Sequence, residues 1–130
     1  MRTDLPANLA ALEAKLLAIG GEALAGPPSW LEMELQAEFV AALLERGEVM
    51  SGEDAKLRKA GMRAISCHQN AAALARRFDS YEHWTGVALS TDGLWRVHSW
   101  CVSPFAVIET TTPRLYYFGR PASEDPAMDE

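Results

Sequence analysis

The sequence predicts an α+β fold, N-terminal helices followed by a four-stranded antiparallel sheet. Three observations carry this. Apolar residues recur at helical spacing through the first two thirds of the chain. Four short runs rich in β-branched and aromatic residues follow, at 84–90, 94–102, 105–111 and 114–118. Asp92-Gly93 between the first two of these runs is a two-residue hairpin signal. Helices first and strands afterwards is the signature of α+β rather than α/β order. A chain of 130 residues with 48% hydrophobic content can bury a core without staples, and one domain over 1–120 is expected.

The first helix is expected from Asp4 as cap, with Pro6 in its opening turn and Leu5, Leu9, Leu12, Leu16 and Ile19 on one face, ending at Gly20-Gly21. After the rigid connector Gly26-Pro27-Pro28, Ser29 and Glu32 form a capping box. The helix it opens runs to about Arg46, with Trp30, Met33, Ala37, Val40, Ala41 and Leu44 as its apolar face and Leu31, Leu35 and Phe39 widening it. Ser51-Gly52-Glu53-Asp54 repeats the start signal more weakly and predicts a short helix over 54–59. Ser66 then caps a helix that begins at Cys67 and reaches about Phe78 through Ala71, Leu74 and Ala75. Ser103-Pro104 and Pro113 separate the last three strands of the expected meander. The acidic stretch 121–130, with Pro121 and Pro126, reads as a disordered tail.

Bulk chemistry narrows the function. A formal net charge of −6 and a pI of about 5.0 argue against nucleic acid or an anionic membrane as main partner, because both need clustered Lys and Arg. The Ala/Leu-rich N-terminus is interrupted by Asp4, Glu13, Lys15 and Glu22, unlike a secretory signal, and no uncharged span of ~18 apolar residues exists. Cytoplasmic residence is therefore expected. Two cysteines, Cys67 and Cys101, make no disulfide framework and read as free thiols.

The chemistry concentrates in Ile65-Ser66-Cys67-His68-Gln69-Asn70. A thiol in the first turn of a helix is favoured as thiolate by unpaired backbone N–H groups and the helix dipole. A thiolate nucleophile needs a base, and the base an orienting group. Strand alternation selects them. Arg96, His98, Trp100 and Val102 share one face; Trp95, Val97, Ser99 and Cys101 share the other. With a hairpin centred on Ser103-Pro104, residues whose numbers sum to 207 are opposite, and His98 faces Glu109. Cys101 is then a buried structural thiol. His68 points about 100° away from Cys67 on a helix and is not the base. No metal-binding spacing is present, since Cys-His adjacency is poor geometry and His98 and Cys101 lie on opposite faces.

A Cys opening a helix, then a His on one strand, then a polar residue on the next, resembles the papain-like cysteine hydrolases, the NlpC/P60-type amidases and peptidases in particular. The match spans 66–111. Cys67-His68-Gln69-Asn70 also resembles the Cys-x-x-Asn of protein N-terminal glutamine amidohydrolases. The resemblance implies a papain-like core with the Cys helix packed on the sheet. It also implies a thiol-dependent amide hydrolase or acyl transferase of peptidase, amidase or deamidase type, with no cofactor and a peptide or protein amide as substrate. Cys67 would attack, His98 would move the proton, and Glu109 would stand where papain has an asparagine. The stretch 57–65 lacks papain's upstream glutamine, so Gln69, Asn70 and Gln36 are the candidates for a second oxyanion donor beside the Cys67 N–H. Trp100, on the His98 face, would wall the site. The competing expectation is a non-catalytic papain-like interaction module, with the N-terminal helices as a binding surface for a protein partner.

Overall fold

A computed structural model describes residues 5–25, 33–53, 55–57, 67–104, 106–112 and 114–122, omitting the side chains of Leu5, residues 33–36, Cys67 and His68. The elements are α1 (Leu5–Leu17), β1 (Ala23–Leu24), α2 (Met33–Arg46), β2 (Glu48–Ser51), β3 (Lys56–Leu57), α3 (Cys67–Arg77), β4 (Glu82–Leu89), β5 (Leu94–Val102), β6 (Val107–Glu109) and β7 (Tyr116–Pro121). The α+β class holds. The four-stranded antiparallel sheet does not: the strands form one seven-stranded mixed sheet ordered β2-β7-β4-β5-β6-β3, with β1 pairing β5 in parallel.

Two corrections follow. The last strand does not extend the meander beside β6; it crosses to the other side of β4, pairing Val87 with Phe118 and Leu89 with Tyr116. The segment expected to be a helix over 54–59 instead contributes β3, which pairs in parallel with β6 through Lys56 opposite Ile108 and Leu57 opposite Glu109. Cap residues and turn residues share the same chemistry, so Ser51-Gly52-Glu53 reads equally as a helix start or as a strand-to-strand turn. Here Ser51 closes β2, and its hydroxyl accepts from the Glu53 N–H at 3.1 Å.

The strand order curls the sheet. β2 and β3 lie at opposite ends of a six-strand path, yet only residues 52–55 join them. Laid flat, those ends would stand ~24 Å apart at ~4.8 Å per strand, beyond the ~17 Å that so short a connection spans. The sheet therefore rolls into a half-barrel. Its concave face is the one against which Met50, from β2, and Ala55, beside β3, both pack: Trp84, Ala88, Trp100, Val107 and Tyr117. The helices cover the convex face. Leu12 and Leu16 of α1 and Ala37, Phe39, Val40 and Leu43 of α2 pack on Val87, Leu89, Trp95 and Phe118. Ala71 and Leu74 of α3 pack on Cys101 and Ile108. Leu43 joins this core, whereas Ala41, expected on the apolar face, is exposed.

Local signals explain most boundaries. α1 ends where the Ile19 and Gly20 N–H groups both turn back to the Leu16 carbonyl, and Gly21 follows at φ 84°. The Gly20 carbonyl accepts the Trp95 indole N–H at 2.9 Å, pinning this turn to the sheet. The β4–β5 hairpin is one residue longer than the two-residue turn expected. Thr91, Asp92 and Gly93 form the loop, with Gly93 at φ 90° and the Ser90 N–H donating to Leu94 O. The Asp92 carboxylate accepts from the Leu94 N–H and the Arg96 guanidinium. The expected caps Asp4, Ser29 and Ser66 lie outside the described residues. Pro121 closes β7 and Ala122 is buried; the rest of the expected disordered tail also lies outside them. No helix among the described residues is long and apolar enough to cross a membrane.

Candidate active site

The β5–β6 ladder is short. Cys101 pairs with Ile108 and Val102 with Val107, and the Ser103 N–H closes the loop onto the Ala106 carbonyl. Opposed residues therefore sum to 209, not 207, because the turn is centred one residue later than Ser103-Pro104. A shift of two preserves every side-chain face. His98 and Glu109 stay on the same, concave side, as diagonal rather than direct neighbours. Between β1 at Leu94–Trp95 and β6 at Cys101–Val102, that edge of β5 carries no further strand among the described residues.

Glu109 reaches across this opening. Its carboxylate oxygens stand 2.9 and 3.0 Å from His98 Nε2. Both side chains are buried, at 3% and 1% exposure. Three further donors converge on the carboxylate. The Tyr117 hydroxyl donates to Oε1 at 2.7 Å, and the Thr111 N–H and hydroxyl donate to Oε2 at 2.9 and 2.8 Å. Desolvation alone would raise the Glu109 pKa. It is outweighed by the hydrogen bond and charge of His98, then by Tyr117 and the Thr111 N–H, which together bring it down to about 2. Burial, then the Glu109 charge, push the Tyr117 phenol well above its ordinary value, so it stays a donor. An ionised carboxylate only accepts, so His98 Nε2 carries a proton toward it.

The aromatic surround is concave-face packing. Trp100 stacks beside His98 with ring centroids 6.0 Å apart, and meets Tyr117 tilted by 57° at 4.9 Å. Gly86 lies opposite both His98 and Gly119, and this bare patch of backbone admits the Trp100 ring. Trp100 is fully buried, and its indole N–H has no hydrogen-bond partner among the described residues.

Position 67 opens α3, but the Cys67 side chain lies outside the described part of the structure. The backbone defines its placement. The Cys101 thiol donates to the Ala71 carbonyl at 3.1 Å, so α3 crosses the sheet where the β5–β6 ladder ends. Residues 78–81 lead directly from α3 into β4, whose Glu82 pairs with Val102. The C-terminus of α3 is thus at the hairpin end. Position 67 is one turn before Ala71, ~6 Å along the axis. Ala71 and Leu74 of α3 pack on the convex side of the sheet, whereas His98 faces the concave side.

Of the oxyanion candidates, Gln69 is exposed and Asn70 is 7% exposed. The Gln36 side chain is not described. Cys101 is fully buried, and burial pushes its thiol pKa up to about 12 against a smaller opposing hydrogen bond at Ala75. Tyr117 and Thr111 were not among the residues singled out from sequence. Tyr117 reaches Glu109 only through β7 crossing to β4, a long-range pairing with no local signature. Thr111 follows Glu109 by two and shares its face, so alternation could have found it. Among the described residues no cluster of His, Cys, Asp and Glu is arranged to hold a metal ion. Comparison of the chain with protein-family models, with curated proteins and with solved structures finds no match.

Proposed function

We propose that the protein is a thiol-dependent amide hydrolase or acyl transferase in which Cys67 is the nucleophile, His98 the base and Glu109 the residue that orients it. The observation that carries this is the buried His98–Glu109 pair. A carboxylate held by four donors fixes the imidazole with Nε2–H toward Glu109, the orientation a base of this kind requires. The thiol of this reading would come from Cys67, the first residue of α3.

In the reaction, Nδ1 takes the Cys67 thiol proton as the sulfur attacks the amide carbonyl carbon. The tetrahedral adduct collapses to a thioester as the C–N bond breaks, and the imidazolium gives its proton to the departing amine. Water, or a second amine, then cleaves the thioester with His98 acting as base again. Glu109 stays ionised throughout and stabilises the imidazolium.

The second reading is an interaction module in which His98, Glu109 and Tyr117 form a polar staple inside the half-barrel. The placement of His98 on the concave face, opposite to the α3 stripe, favours it. Iodoacetamide labelling across pH separates the two. The catalytic reading requires Cys67 to react faster near pH 6 than an ordinary thiol of pKa ~8.5 allows, and His98→Ala to remove that advantage. A Cys67 that labels like an unperturbed thiol in both proteins leaves the interaction module standing. An amide-substrate screen run against Cys67→Ala then tests turnover.

A further inference from the structure

The site just proposed takes two residues from the β5–β6 side of the half-barrel and a third from α3. The structure brings in one more, from the far side of the sheet. Tyr117 lies on β7, which is separated from β6 by β4 and β5. Along the sheet those strands stand ~14 Å apart, at ~4.8 Å per step. The curl closes that distance, and the Tyr117 hydroxyl meets Glu109 Oε1 at 2.7 Å across the concave face. This is the oxygen that lies 2.9 Å from His98 Nε2. Thr111 anchors the other oxygen with two bonds. Thr111 is only two residues from Glu109 and moves with it, so it cannot set where Glu109 sits relative to β5. Tyr117 can, because it is fully buried and its ring is wedged against Trp100.

We propose that Tyr117 is a positioning residue: its hydroxyl holds Glu109 against His98 and thereby fixes the imidazole tautomer that serves Cys67. This rests on the functional reading above for its consequence, but not for its geometry. Without the phenol, Oε1 loses its cross-sheet tether and the carboxylate can rotate about its own side-chain torsions. The His98 ring then loses the fixed carboxylate that selects Nε2–H. Tyr117→Phe keeps the ring and its packing, and removes only the donor.

The test reads His98 and Cys67 separately. In the parent protein at neutral pH, ring-nitrogen NMR of His98 is expected to show the Nε2–H tautomer alone. In Tyr117→Phe it is expected to show a mixture of tautomers, with Glu109 titrating at higher pH than in the parent. A parent-like tautomer and an unmoved Glu109 titration would overturn the proposal, since a merely structural tyrosine moves neither. Should Tyr117→Phe not fold, 3-fluorotyrosine placed at 117 keeps the bond but makes the donor more acidic. It must then shift the His98 Hε2 resonance, and an unmoved resonance overturns the proposal too. Cys67 alkylation at pH 6 is expected to fall about tenfold in Tyr117→Phe, less than the roughly 10²–10⁴-fold that losing the base itself would cost. A changed tautomer with unchanged alkylation upholds Tyr117 as the positioning residue and sinks the assignment of Cys67 to His98.

Discussion

Glu109, beyond the β5–β6 ladder but paired with Leu57 of β3, sets both carboxylate oxygens within 3.0 Å of His98 Nε2. Because these oxygens also accept from Tyr117 and Thr111, every contact on the carboxylate is a donor pointing inward. Glu109→Gln breaks that pattern. A glutamine brings two N–H donors of its own, so at least one donor must face another donor at a fully buried position. The expected loss is about 1–3 kcal/mol of stability, read by urea unfolding. The same substitution should slow Cys67 labelling, while His98→Ala should lower amide turnover by roughly 10²–10⁴-fold. Full turnover in His98→Ala would remove His98 from the mechanism.

Acid should weaken the fold through the same carboxylate. Glu109 has a folded pKa near 2, below its ordinary value of 4.5. A depressed carboxylate binds its proton more readily once unfolded, so its stabilisation is complete above pH 4.5 and is lost as pH falls from there toward about 2. Urea midpoints should therefore drop between pH 5 and pH 3 in the parent. In Glu109→Gln the drop should be shallower over that window. Parallel curves for the two proteins would mean that other carboxylates dominate acid unfolding.

The two cysteines should behave oppositely toward alkylation. Cys101 is fully enclosed beneath α3, its thiol donating to the Ala71 carbonyl and its pKa raised to about 12. It presents neither access nor thiolate. Native Cys67→Ala protein should take up no iodoacetamide at neutral pH, and one equivalent once unfolded in denaturant, as read by intact mass. Labelling of the native variant would show that α3 lifts off the sheet.

Much of the candidate site was legible because strand alternation is robust to small register errors. The turn centre was misplaced by one residue, yet this moved the pairing by two, and His98 and Glu109 kept a common face. An error giving an odd shift would have separated them. α3 was legible from its alanine run and β5 from its alternation. The sheet edges were not. Glu48–Ser51 is mostly exposed and Lys56–Leu57 is two residues long, so neither carries a burial pattern of its own. Each is a strand only because β7 or β6 stands beside it. Missing them hid the curl, and with it the contact between Tyr117 and Glu109. The flat meander also concealed that His98 and the α3 stripe lie on opposite faces of the sheet.

Gly119 offers the sharpest test of that curved interior. It pairs with Gly86 in the strand next to His98, and an added Cβ would lie 2.4 Å from the Thr85 carbonyl oxygen, 2.6 Å from Trp100 Cη2 and 2.9 Å from Cζ2. No real carbon sits so close, and the Trp100 ring is itself boxed in by Tyr117 and His98. Gly119→Ala must therefore push Trp100 toward the His98–Glu109 pair or pry β7 from β4. Overpacking of this kind costs roughly 1–3 kcal/mol. The expected result is a lower urea midpoint with altered near-ultraviolet circular dichroism. Where the protein stays folded, Cys67 labelling at pH 6 should also slow, because His98 is displaced. Gly20→Ala is the control: its added Cβ meets only Leu89 Cδ2, at an ordinary 3.5 Å, and it should leave the labelling rate unchanged. Equal effects of the two substitutions would mean that both the β4–β7 pairing and Trp100 have room to give and that the concave face does not hold His98 in place.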